Sequence, residues 1–317
     1  MSSRASVISQ SRSAVRYVKV EERSAGQRLD NFLLRECPGV PKTRLYRAIR
    51  KGEIRIDRGR ARQDTRLQVG QTVRIPPLAV ADRPDSVAPS HWQQRLLERI
   101  LYEDDDLLVI NKPPGLAVHG GSGLSFGLIE TMRELRPNCR VLELAHRLDR
   151  ETSGVLVLAK RVNALRQLHE LFRNRSEVSK TYLALVHGHW PRAVSSMTAP
   201  LQRVERKSGE RIVVVNRAGK PSQTSFTAKK RYAASTLIEA KPVTGRTHQI
   251  RVHAAFAGHP LLGDDKYGND DSNALTIQLE LKRLFLHAAK LSFTLHERVM
   301  EFEAPLDCEL QRVLSKA

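Results

Sequence analysis

The stretch "PPLAVADRPDSVAPSH" at positions 76–91 is rich in Pro, Ala, Ser and Asp and follows neither a strand nor a helix period. With no repeating apolar face it has nothing to bury, so it reads as a linker, and each side of it must supply its own core. A chain of 317 residues has material for two such units. The expected partition is a disordered basic tail over 1–25, a small module over 26–76, a linker over 77–94 and a larger domain over 95–317. No internal repeat is visible.

Charge also separates the two sides. The formal net charge is +19; residues 1–90 hold 19 Lys/Arg against 9 Asp/Glu, and the remainder holds 34 against 25. The first part is therefore the more basic per residue. That balance points to a polyanionic partner, nucleic acid before membrane, with a generally basic solvated surface as the plainer alternative. No apolar run approaches the roughly 18–20 residues of a membrane span. The three cysteines, Cys37, Cys139 and Cys308, are scattered and lack metal-ligand spacing. They fit a reducing, cytoplasmic setting without disulfides or structural zinc. The acid-free opening "MSSRASVISQSRSAVRYVKV" shares its Ser/Arg composition with transit peptides, but a disordered tail is the preferred reading.

Before the linker, "QRLDNFLLREC" places Leu29, Phe32 and Leu33 at i, i+3, i+4, the stripe of a short amphipathic helix. "TRLYRAIRKGE" repeats the pattern with Leu45, Ala48 and Ile49, after Pro41 and before Gly52. On this second helix Arg44, Arg47 and Lys51 share the opposite face. Two alternating strands follow, "EIRID" and "TVRIP", with Arg55, Arg58, Arg60 and Arg62 crowding the turn between them. After the linker, "DLLVINK", "VLVLAK" and "TYLALVHGHW" read as strands, and "RVNALRQLHELFRN" as an amphipathic helix. Strands and helices mix without a regular βαβ rhythm, so the fold class is α+β with a mixed, largely antiparallel sheet.

Three stretches carry chemistry. In "HRLDRETSGVLVLAK" (146–160) a charge knot of His146, Arg147, Asp149, Arg150 and Glu151 abuts an apolar strand. Asp149 is either a reacting carboxylate at the mouth of that strand or a turn cap bonded to N–H groups near Thr152 and Ser153. In "TGRTHQIRVHAAFAGHP" (244–260) Thr247 is the expected N-cap and Gly258 and Pro260 the stop, with Ile250, His253, Ala254 and Ala257 buried and Arg251 displaced round the axis. His248, His253 and His259 do not have the spacing of a metal site, so no metal is expected. In "KTYLALV" Tyr182 is either core or the wall of a cleft. "HGGSGLS" (119–125) lacks the Gly-Lys-Ser/Thr ending of a phosphate loop and the second glycine of a nucleophile elbow.

Taken in order, "HRLDRETSGVLVLAK", "KTYLALVHG", "GKPSQTSF", "VTGRTHQIRVHAAFAGHPLLGDDKYG" and "RLFLHAAKLSF" resemble the successive motifs of the RluA family of RNA pseudouridine synthases. With "ILYEDDDLLVINKPPGLAVHGGSGLSFGLIE", the chain most resembles the RluC branch, which modifies large-subunit ribosomal RNA. The N-terminal helices and strands resemble an S-four-type RNA-binding module, although "IDRGRA" stands where that module usually has a Val-Asn-Gly turn, with Gly59 expected to keep the turn chemistry.

The resemblance implies that Asp149 is the catalytic carboxylate, that Tyr182 packs against the target base and helps take its C5 proton, and that buried Arg251 pairs with Asp149. It also implies that Arg147 fills the gap left by the flipped base and that Leu286 lines the pocket, with His146 beside them. Arg44, Arg47, Lys51, Arg55, Arg58 and Arg60 are the expected RNA contacts of the module. The implied substrate is 23S ribosomal RNA or its large-subunit precursor. No cofactor is implied, because the isomerisation changes no oxidation state and loses no group. A monomer is expected. Whether Asp149 attacks C1′ or removes the C2′ proton stays open. A non-catalytic RNA-binding factor and an N-glycosidase-like hydrolase are the rival readings of the same residues.

Overall fold

Alternation in the N-terminal part builds a sheet with one wet face and one dry one. The computed structural model describes residues 14–37, 39–40, 42–78, 89–120, 126–174, 177–206 and 208–317. The chain divides into two units, Met1–Ser86 and Val87–Ala317. The first contains β1 (Arg16–Lys19), α1 (Leu29–Glu36), α2 (Lys42–Arg50), β2 (Arg55–Ile56), β3 (Gly59–Arg60) and β4 (Thr72–Ile75). Its four strands are antiparallel in the order β1-β4-β2-β3. Leu29, Phe32 and Leu33 of α1 and Leu45, Ala48 and Ile49 of α2 pack with Ile54, Val73 and Ile75 into one core.

Two expectations for this unit are corrected. Strand β1 lies inside the stretch expected to be a disordered tail: Val18 pairs with Val73 and Val20 is buried, so burial on the sheet outweighs the polar surroundings of "RYVK". Residues 1–13 lie outside the described set. In the β2–β3 turn the left-handed residues are Asp57 (φ 47°) and Arg58 (φ 68°), not Gly59. A two-residue hairpin needs positive φ at both central positions to follow the strand twist. Asp57 accommodates this because its Oδ1 accepts the Thr72 N–H at 2.8 Å.

The second unit runs α3 (Ser90–Leu97), β5 (Ile100–Glu103), β6 (Leu107–Lys112), α4 (Leu128–Glu134), β7 (Glu143–Leu144), β8 (Ser153–Ala159), α5 (Val162–Asn174), β9 (Val178–His187) and β10 (Ser196–Thr198). It continues with β11 (Leu201–Glu205), β12 (Arg211–Val215), β13 (Gln223–Arg231), β14 (Ser235–Pro242), α6 (Gln249–Phe256), α7 (Asp270–Gln278), β15 (Leu286–Leu295), β16 (Arg298–Glu303) and α8 (Cys308–Lys316). Helix α3 begins within the stretch expected as linker, whose residues 79–88 lie outside the described set, as do 121–125 of the glycine loop.

The large sheet has the order β10-β13-β14-β9-β15-β8-β6-β5, with β16 beside β15 and β7 beside β8. Every pairing is antiparallel except β15 with β8. β6 and β8 are buried along their whole length because helices cover both faces. Leu108, Ile110, Leu156 and Leu158 meet Leu128, Ile129 and Met132 of α4. Leu107, Val109, Val155 and Val157 meet Ala164 and Leu168 of α5. On the other half, Ala184, Val186, Ile238 and Ala240 receive Ile250 and Ala254 of α6.

The parallel junction depends on one glycine. Gly154 pairs with Ala288, and its φ is +112°. A Cβ there would overlap the backbone of Ala288. Gly154→Ala is expected to cost the larger unit at least about 2 kcal/mol, through backbone strain and overpacking together. Urea unfolding checks this, and an unchanged midpoint would mean that the strands separate without penalty.

Candidate active site

A cavity of about 310 Å³ opens where the loop before β8, the face of β9, the start of β15 and the start of α6 meet. Asp149, Tyr182, Leu286 and Arg251 come from those four places and all line it, together with His146, Arg147 and His248. The register explains the convergence: Ala288 sits between Gly154 of β8 and Tyr182 of β9, and Leu286 pairs with Ala184.

The Asp149 loop is held from below by backbone and buried charge. Lys112, fully buried at the end of β6, donates to the carbonyls of Pro113 (2.8 Å), Leu116 (2.9 Å) and Arg150 (3.0 Å). Three acceptors match the three N–H bonds of an ammonium, while burial pulls its pKa down to about 7. The Gly115 N–H also donates to the Arg150 carbonyl, and Arg150 Nε donates back to the Gly115 carbonyl. Where the loop enters β8, Ser153 Oγ accepts from buried Arg283 at 2.5 Å and contacts His287 Nδ1 at 2.8 Å.

His146 is a second anchor. Its Nε2 accepts the Val157 N–H at 3.1 Å, and its ring stacks on Phe172 with centroids 4.7 Å apart. The residue keeps some exposure through the cavity, but burial, helped by the charge of Lys180, lowers its pKa to about 3. A neutral ring is what an accepting Nε2 requires. Arg147, by contrast, is exposed at the rim, and its guanidinium has no hydrogen-bond or ionic partner among the described residues.

The Asp149 carboxylate faces the cavity. Its side chain is 23% exposed, and it does not cap the turn: the Thr152 N–H donates to the backbone carbonyl of Asp149 instead. His248 Nε2 stands 4.0 Å from Asp149 Oδ2. Tyr267 anchors the other side of this ring: its Oη accepts the Val213 N–H at 3.0 Å and lies within hydrogen-bond distance, 2.7 Å, of His248 Nδ1. Burial lowers the His248 pKa despite the opposing charge of Asp149. Tyr182 lies against two cores, and burial, followed by the Asp149 charge, raises its phenol pKa well above the ordinary value.

Arg251 is where the structure departs from the expected pairing. The guanidinium is 3% exposed and donates to Asp264 Oδ2 and Oδ1 at 2.7 and 2.5 Å, and to Asp265 Oδ1 at 3.0 Å. It forms no ion pair with Asp149 among the described residues. Burial opposes its charge, but Asp264, with Asp149 and Asp265 adding their fields, outweighs that and raises its pKa. Its influence on Asp149 is therefore a field across the cavity, not a contact.

Helix α6 also starts differently. Its N-cap is His248, in a left-handed conformation (φ 53°), and not Thr247, whose hydroxyl accepts Arg203 Nη2 at 2.6 Å. Gln249 to Ala254 are all buried, Arg251 included, because the β11–β12 ribbon covers the side expected to be open: Val252 packs with Leu201 and Val213. Sequence reasoning missed His248, Asp264 and Tyr267 as site residues. The double acid and Tyr of "GDDKYG" were the available signal for the last two. Among the described residues no group of three or more His, Cys, Asp or Glu is placed to hold a metal. None of the helices there is long and apolar enough to cross a membrane.

In the N-terminal unit, Arg47, Lys51, Arg55, Arg58 and Arg60 are exposed. Arg44 is half-buried and paired with Glu53 at 3.2 Å, so its charge is partly spent and it does not share a fully open face with Arg47 and Lys51.

A family model described as RNA pseudouridylate synthase matches residues 106–256. Ribosomal large subunit pseudouridine synthase C of Escherichia coli (strain K12) is 52% identical over 310 residues, spanning 96% of this chain and 97% of its own. The protein of that name from Haemophilus influenzae is 49% identical over 309 residues, spanning 96% and 95%. Among solved structures, human RNA pseudouridylate synthase domain containing 4 superposes with a TM-score of 0.59 at 30% identity, over 71% of this chain and 95% of its own.

Two outcomes follow from the charges. Asp264→Asn leaves a buried guanidinium without its main counter-charge and is expected to cost about 3–5 kcal/mol. Thermal and urea unfolding at wild-type values would refute it. His146 is expected to stay neutral at pH 5, seen as an unshifted ring ¹⁵N spectrum. Because the unfolded chain takes up that proton near ~6.5 and the folded one near 3, its share of the stability is complete above the first value and lost as pH falls toward the second.

Proposed function

Since this chain belongs to the family of RNA pseudouridylate synthases, we propose that it isomerises specific uridines of 23S ribosomal RNA, or of its large-subunit precursor, with Asp149 as the reacting carboxylate. The observation that carries this reading is the placement of Asp149: a carboxylate on an anchored loop, turned into a cavity lined by an aromatic ring and a buried cation. The large-subunit substrate is the one named for the bacterial relatives.

In this reaction the N1–C1′ bond breaks, the uracil turns, and C5 bonds to C1′. The C5 proton leaves and N1 gains one, so atoms and electrons balance without a cofactor. Positive charge develops on the ribose as the bond opens, and an enclosed carboxylate stabilises it best where water is excluded. Asp149 either attacks C1′ or takes the C2′ proton. Tyr182 packs against the extruded uracil and helps take the C5 proton, and Leu286 supplies the apolar floor. Arg251 lines the cavity with its charge taken up by Asp264 and Asp265, and so does not neutralise Asp149 by contact. His248, held at Nδ1 by Tyr267, presents Nε2 toward the carboxylate and steadies its orientation.

Extruding the uridine costs a few kcal/mol of stacking. Arg147, unpaired at the rim, is suited to fill the vacated place, and His146 keeps the neighbouring backbone rigid. The N-terminal unit, read as an S-four-type RNA-binding module, contributes affinity through Arg47 and Lys51 of α2, with Arg44 in a lesser part, and through Arg55, Arg58 and Arg60. Binding distant phosphates supplies the energy used at the reacting base.

Asp149→Asn keeps the shape and removes the negative charge. Pseudouridine formation on a 23S transcript is expected to fall by at least about 1,000-fold while RNA affinity stays close to that of the unaltered chain. Turnover at the ordinary rate in that variant would remove Asp149 from the mechanism, and free uracil as the product would mark a hydrolase instead.

A further inference from the structure

The outer face of the N-terminal sheet carries a pattern that the helix contacts do not use. Across the strands the register aligns Tyr17 with Arg74, Arg74 with Arg55, and Arg55 with Arg60. Paired residues project to the same side, so one aromatic and three guanidinium groups form a row. The next row, Val18 with Val73 and Val73 with Ile56, faces the core. Tyr17 is 68% exposed, which leaves an aromatic ring on the wet side of a small sheet.

This face is concave and its cations are pre-aimed. Tyr17, Arg55, Arg58 and Arg74 border a hollow of about 870 Å³ with Asp57 and Thr72 at its edge. Arg55 Nε donates to the Gly52 carbonyl at 2.9 Å and Arg74 Nη1 to the Glu53 carbonyl at 2.6 Å. Each guanidinium is fixed by one bond and keeps other N–H groups for a ligand. Arg58 sits at the apex of the left-handed turn, which Asp57 pins to Thr72. The nearby acids are engaged elsewhere: Asp57 by that backbone amide and Glu53 by Arg44.

We infer that this face is a single-stranded RNA site, in which an unpaired base stacks on Tyr17 and the flanking phosphates are held by Arg55, Arg58 and Arg74. The inference rests on the RNA-modifying reading of the chain and adds to it a particular form of RNA. Guanidinium forks suit phosphate oxygens, and an exposed ring in their midst suits a base. A paired helix keeps its bases stacked inside and has none to offer Tyr17, so the site selects unpaired segments.

The test uses the full chain and fluorescein-labelled oligocytidylate, whose bases cannot be isomerised, beside an RNA duplex of equal length. By fluorescence anisotropy, Tyr17→Ala is expected to weaken oligocytidylate binding about tenfold, the size of one lost base stack, and to leave duplex binding unchanged. Tyr17→Trp should retain the affinity. Arg58→Gln should weaken single-strand binding and reduce the slope of log K against log salt by about 0.7. Unchanged oligocytidylate affinity in Tyr17→Ala, or an equal loss on the duplex, overturns the inference. The isomerase reading is judged separately, by pseudouridine formed in the Asp149→Asn chain, so either can fail while the other stands.

Discussion

Strands β8 and β15 run parallel for two residue pairs, Ser153 with His287 and Gly154 with Ala288, and this junction joins two otherwise antiparallel halves of one sheet. Backbone meets backbone there with no room for a side chain. The junction sets the start of β8, and with it the loop carrying Asp149, against Tyr182 on β9 and Leu286 on β15, because β8 and β9 both pair with β15 in the row of Ala288. The hydrogen bonds of Ser153, His287 and Arg283 hold the row at its end, so it has little freedom to slide.

Around that frame the protein separates two electrostatic tasks that a single ion pair would merge. Arg251 satisfies its own burial through Asp264. Asp149 is left without a contact ion pair and looks into the cavity. A carboxylate locked in a bidentate fork would have to break that fork before reacting, at a cost of several kcal/mol for a buried pair. With the fork made to Asp264 instead, the Asp149 carboxylate is left free of it. His248 completes the arrangement, held at Nδ1 by a tyrosine that is itself anchored on a backbone amide.

Much of this was legible in the sequence wherever local pattern and burial agree. "DLLVINK" and "VLVLAK" are continuous apolar runs because helices cover both faces of β6 and β8, and α1, α2 and α5 show their stripes plainly. The motif order brought Asp149, Tyr182, Arg251 and Leu286 to one cavity. What was not legible depends on contacts distant in sequence. Arg251 meets Asp264 only because the chain after α6 folds back, and α6 is buried all round only because the β11–β12 ribbon covers it. The left-handed backbone at His248 leaves no trace in residue type. Strand β1 has four residues in a polar stretch, and it exists because β4 offers an edge.

Lys112 gives the Asp149 loop a fixed shape through bonds made entirely within the fold. Three carbonyls from two turns of chain converge on one ammonium, so that segment arrives already frozen. On the proposed reading, the ordering of this loop is met within the fold, and the rearrangement that accompanies binding falls on the base that leaves its stack.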